Sequence, residues 1–142
     1  MRCFEDLVID NAGYDMYLQS VFFVGYNETE QKNYIFSLDA TDFAKAPIKP
    51  VIYVPGLVNV CVNTFSSKNH LMFLTLQEDT PTFGNNLVTV DVQAAQVVSN
   101  VWVDPSIEMM TFDDSSNTLW AWSLPLTIPS NHQVMTTNTN HV

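Results

Sequence analysis

Short runs of Val, Ile, Leu, Phe, Tyr and Trp alternate along this chain with polar, turn-forming clusters, and no long stretch keeps a helical period. Runs of four to eight β-branched and aromatic residues bounded by Asn, Asp, Ser, Pro or Gly read as strands. The pattern predicts a strand at Leu7–Ile9, a turn over Asp10–Asp15, and then Met16–Tyr26 as one bent strand or two short ones. Tyr34–Asp39 and Val51–Val54 follow, with room for one helical turn across residues 40–46. Beyond Pro55-Gly56 the predicted strands are Leu57–Phe65, Leu71–Gln77, Leu87–Asp91, Val97–Val103, Ile107–Phe112, Leu119–Leu124 and Gln133–Thr137. Pro125 and Pro129 interrupt the last pair, because proline cannot donate to a ladder.

One motif recurs within this pattern. In Thr111–Trp122 an apolar run ends, a polar turn follows at Asp113–Thr118, and a second apolar run begins. Ile9–Leu18 and Phe65–Phe73 carry related turns, roughly fifty residues apart, the spacing of an array of small sheets. The expectation is an all-β fold in one domain, residues 1–142, built of antiparallel four-stranded repeat units. The units span about 5–55, 56–104 and 105–142, and the third lacks a fourth strand.

Residues 87–122, LVTVDVQAAQVVSNVWVDPSIEMMTFDDSSNTLWAW, resemble β-propeller blades of the YVTN-like, six-bladed type. A strand ending in Val90-Asp91 leads through the Gln93–Gln96 turn into the Val-rich run Val97–Val103; Met109–Phe112 then precedes a polar turn and Leu119-Trp120. Through weaker copies the resemblance extends over residues 5–137, and it implies a partial propeller. A blade has two apolar faces that neighbouring blades must cover, and closed rings take four to eight blades. Fewer than three units therefore imply a fragment, or a ring completed by other copies or by another chain. Two copies would supply six blades, with the missing strand drawn from the other copy's N-terminus. The alternative architecture is an antiparallel β-sandwich. With only four glycines, Asn, Asp and Ser are expected to take the turn positions where glycine is usual.

The charge balance changes the picture by exclusion. A net charge of −10, from 15 acidic and 5 basic residues, speaks against nucleic acid and anionic membrane surfaces as partners. No apolar run is long enough to span a bilayer as a helix, and acids at positions 5, 6 and 10 break any secretory-signal pattern. Asn and Thr in place of Lys lean toward an extracellular setting, and Asn27-Glu28-Thr29 is a glycosylation sequon. Cys3 and Cys61 read as two buried thiols or a single bridge.

Candidate chemistry is sparse. His70, His132 and His141 lack metal spacing, and no nucleophile elbow or phosphate loop is present. Asp113-Asp114-Ser115-Ser116-Asn117 offers oxygen ligands without the glycine and glutamate of an EF-hand loop. No cofactor or metal is expected. His70 reads as a solvated loop residue. Adjacent carboxylates at Glu5-Asp6, Glu78-Asp79 and Asp113-Asp114 read as solvated loops. Trp120 and Trp122 lie two apart on one strand and so share a face; with Trp102 they form the candidate ligand or partner face, although packing between blades is the more economical role. The expected function is a non-enzymatic structural or protein-interaction module that assembles with copies of itself or with another chain. A carbohydrate-binding lectin is the first alternative, and a fragment of a propeller-type hydrolase the second.

Overall fold

A computed structural model describes residues 7–54, 57–77, 85–103, 107–123 and 134–138; Cys3, Glu5-Asp6, Glu78-Asp79, His132, His141 and the Cys61 side chain lie outside what it describes. The described residues are all β, with eleven strands and no helix. The first sheet is β1 (Leu7–Asp15), β2 (Ser20–Asn27), β3 (Lys32–Asp39) and β4 (Lys49–Val54), paired antiparallel in chain order. The second repeats that order with β5 (Leu57–Ser66), β6 (Leu71–Gln77), β7 (Asn85–Asp91) and β8 (Gln96–Val103). In the third, β10 (Thr118–Ser123) pairs with β9 (Ile107–Asp113) on one side and β11 (Val134–Asn138) on the other. The first strands of the sheets are neighbours, β1 beside β5 and β5 beside β9. This is the arrangement of successive propeller blades around an inner edge, three sheets deep where a sandwich has two.

Side-chain alternation explains the stacking. On β2 and β3, Phe22, Val24 and Ile35 point toward the second sheet and meet Met72, Leu74, Leu76, Val88 and Val90. The opposite face of that second sheet presents Leu71, Phe73 and Leu87 to Ile107, Met110, Leu119 and Ala121 of the third. Both faces of β6 are therefore buried, which is why LMFLTL reads as an unbroken apolar run rather than an alternating one. A third cluster, Phe23, Phe36, Leu38 and Ala46, covers the back of the first sheet with chain from the β3–β4 connection, joined by Ile48. That connection contains an α-type turn, with the Ala46 amide donating to the Asp42 carbonyl at 2.8 Å, where a helical turn was expected.

The first repeat differs from its prediction. Asp10–Asp15 is strand, and the turn is Met16–Gln19. The turn-forming residues that suggested otherwise have other uses: the β1–β2 register shifts between Asp10 and Ala12, and Gly13 lies under an aromatic ring. A Cβ at Gly13 would stand 2.6 Å from Phe65 Cβ and 2.7 Å from Cγ. Gly13 thus lets the inner strand of the first sheet approach Phe65, which stacks on Phe22 at 5.8 Å. The real turn opens on the single Asp15 and then runs through Met, Tyr, Leu and Gln, which is not a turn composition.

Candidate functional site

Five hairpin turns share one construction. Asp15, Asn27, Ser66, Asp91 and Asp113 each end a strand, and the residue four further on has positive φ: Gln19, Gln31, His70, Ala95 and Asn117, with φ between 49° and 57°. The leading carboxylate or amide oxygen accepts from the backbone two and three residues on, as from Tyr17 and Leu18 to Asp15 Oδ1 at 2.9 and 3.0 Å, and from Gln93 and Ala94 to Asp91 Oδ1 at 2.9 and 2.8 Å. Asn27 Oδ1 is used the same way by Thr29 and Glu30. The Asx residues therefore cap the turn, whereas the left-handed position falls to Gln, His and Ala as well as Asn, contrary to the expectation that Asn, Asp and Ser would occupy it.

The three turns that join the first and second strands of each sheet are linked side by side. Ser67 Oγ accepts from the Met16 amide at 2.8 Å, and His70 Nδ1 donates to Asp15 Oδ2 at 2.6 Å. Asp15 is fully buried, so His70 and the turn amides replace its water. One repeat later, Ser66 Oγ donates to Asp114, and Asn69 Nδ2 donates to Asn117 Oδ1 at 2.8 Å. A continuous polar seam thus ties the three sheets at one end. His70 is part of that seam, with its side chain 22% exposed and Tyr17 edge-on to its ring at 6.2 Å, rather than a solvated loop residue. Ser67 Oγ lies 3.5 Å from the carboxylate of Asp15 and does not meet the imidazole, so the trio lacks the hydroxyl-to-imidazole contact of a nucleophile–base pair.

The acidic loop at Asp113–Asn117 is likewise occupied by protein donors. Asp113 accepts from Ser115 N at 2.9 Å, Ser115 Oγ at 2.6 Å and Ser116 Oγ at 2.6 Å. The two serine hydroxyls and the backbone hold its carboxyl down at about 2. Among the described residues, no group of three or more His, Cys, Asp and Glu side chains is placed to hold a metal ion.

The tryptophans divide between two places. On β10, Leu119, Ala121 and Ser123 face the second sheet and are buried; Trp120 and Trp122 face the opposite way, beside Thr111 and Met109 on β9. Met109 is 62% exposed and Trp120 36%, so this is an apolar face open to solvent. Trp102 belongs to β8, the outer strand of the second sheet, and is not brought to that face. Counting from the left-handed turn residue locates the equivalents of the β10 pair. Trp120 corresponds to Phe22 and Phe73, and Trp122 to Val24 and Thr75, all four of which are buried against the next sheet. That the two indoles share a face is legible from their spacing; the equivalence is not, because the first turn lies at Met16–Gln19 rather than at the turn-like residues before it.

No family model matches the chain, and no curated protein matches it. Among solved structures, it is similar to TolB from Acinetobacter baumannii, a β-propeller protein, at 11% identity and a TM-score of 0.49; the match covers 94% of this chain and 41% of that one.

Proposed function

We propose that this chain is a non-enzymatic protein-interaction module that receives a partner against the outer face of its third sheet. One observation carries this: Trp120 and Trp122 occupy the positions at which the first two sheets bury Phe22, Val24, Phe73 and Thr75 under the following sheet. The geometry that buries those side chains is repeated, and on the third sheet nothing described covers it. The fitting partner is a sheet with an apolar face, from another copy or another chain, because the two internal contacts are both sheet on sheet. Exposed apolar surface of this kind marks interaction sites, and aromatic and Met side chains dominate their energetics.

The test is partner capture, read apart from the self-association mass of the chain, with Met109→Glu and Trp120→Glu. Both positions are solvent-facing, so the variants should fold with unchanged circular dichroism while association falls at least about tenfold, as expected for a charge placed in an apolar contact. Unaltered association would remove this face from the interface. The second reading is stacking of a sugar ring on Trp120 and Trp122, and the exposure of Trp120 is what favours it. Glycan binding that survives Trp122→Ala would discard that reading.

A further inference from the structure

The outer strand of the second sheet, β8, points to a second interaction surface, and its sequence says what it fits. Strands β4 and β8 occupy the same position, fourth in successive sheets, each with a single described neighbour, β3 or β7. Both carry a register shift, at Ile35/Phe36 opposite β4 and at Thr89/Val90 opposite β8. They differ in what guards the free edge. β4 begins Lys49-Pro50, and proline and lysine are two devices by which edge strands avoid pairing with other chains. β8, Gln96-Val97-Val98-Ser99-Asn100-Val101-Trp102-Val103, has neither, and no charged residue.

Its apolar side chains are nonetheless in solvent on both faces: Val97 45%, Val98 38%, Val101 54% and Trp102 45% exposed. The part beyond the shift, Ser99–Val103, runs in straight register against Leu87, Asn86 and Asn85 through Val101, Trp102 and Val103.

We propose that β8 pairs antiparallel with β8 of a second copy of this chain, extending the second sheets of two molecules into one. A second copy is the fitting occupant because a two-fold interface sets one surface against itself, which an uncharged strand allows. Centred on Val101, the straight segment is nearly self-complementary: Val101 meets Val101, Ser99 meets Val103, and Asn100 meets Trp102, with no like charges opposed. The chain as a whole carries a net charge of −10, so copies repel across most surfaces and can approach most readily through an uncharged strand. The main-chain groups of the edge supply hydrogen bonds, and the valines supply the apolar contact.

Light scattering across a concentration series tests this on the full chain, with Val101→Lys, Val101→Thr and Met109→Glu alongside. The expected result is a reversible species of twice 16.0 kDa. Its dissociation constant should rise at least about tenfold in Val101→Lys, stay within a few-fold in Val101→Thr, and be unmoved by Met109→Glu. Amide exchange should slow along β8 on concentration and not along β4. A chain that stays monomeric at every concentration, or a dimer abolished by Met109→Glu and indifferent to Val101→Lys, overturns the proposal. The latter outcome assigns self-association to the third sheet, so the two surfaces are separable by the same experiment.

Discussion

Gly13 and Asp113 show how much a single position can hold. Because a Cβ at Gly13 would stand 2.6 Å from Phe65 Cβ, Gly13→Ala must displace an inner strand or a stacked ring. Overpacking of this kind costs about 1–3 kcal/mol, and thermal or urea unfolding of Gly13→Ala should show it. At Asp113, three hydrogen bonds favour the carboxylate, and the folded value of about 2 lies below the ordinary 3.8. The bonds therefore stabilise the turn above the ordinary value, and that contribution disappears as the pH falls from there through about 2. Carboxyl NMR titration should place Asp113 near 2, and Ser115→Ala should move it upward. The fully buried Asp15 carboxylate is a heavier commitment. Asp15→Ala strips acceptors from two turn amides and His70, for an expected loss of about 2–4 kcal/mol by denaturant titration.

At the level of elements, the five hairpin turns each hold a non-glycine residue at φ near 50°. Left-handed geometry costs an L-residue about 1–2 kcal/mol, which the cap at the head of the turn must outweigh. Ala95 is exposed and has no polar side chain to recover any of that cost. Ala95→Gly should therefore raise stability by up to about 1 kcal/mol, seen as a higher melting temperature.

The turns also explain what was legible in the sequence. Strands from Tyr34 onward were readable because their apolar runs end at residues that cap a turn, such as Ser66, Asp91 and Asp113. In the first hairpin the cap is Asp15 alone, while Asp10, Asn11 and Gly13 look like a turn but serve a register shift and a close approach. Composition cannot distinguish a glycine that bends the chain from one that makes room for a ring. The polar seam was illegible for another reason. His70 pairs with Asp15 across 55 positions, and only the stacking of sheets brings them together.

Across the whole molecule, the three sheets are unequal. The middle one is buried on both faces, so its Phe73 and Leu74, both fully buried, report on both contacts at once. Phe73→Ala removes packing between the second and third sheets and should cost about 3–5 kcal/mol in unfolding experiments. The tryptophans announced a face, but exposure and direction came only from knowing which side of β10 meets the second sheet.

The covering of the first sheet by the β3–β4 connection has a consequence for assembly. Phe23, Phe36 and Leu38, which a preceding blade would cover in a head-to-tail series, are already buried beneath Ala46 and Ile48 of the same chain. Among the described residues, the stack thus has an open head and a plugged tail. Head-to-tail addition, the kind of contact that grows into rings or filaments, needs both. With the tail plugged, copies that meet through the tryptophan face can only meet head to head, and such a contact uses up both heads, so no third copy can add through that face.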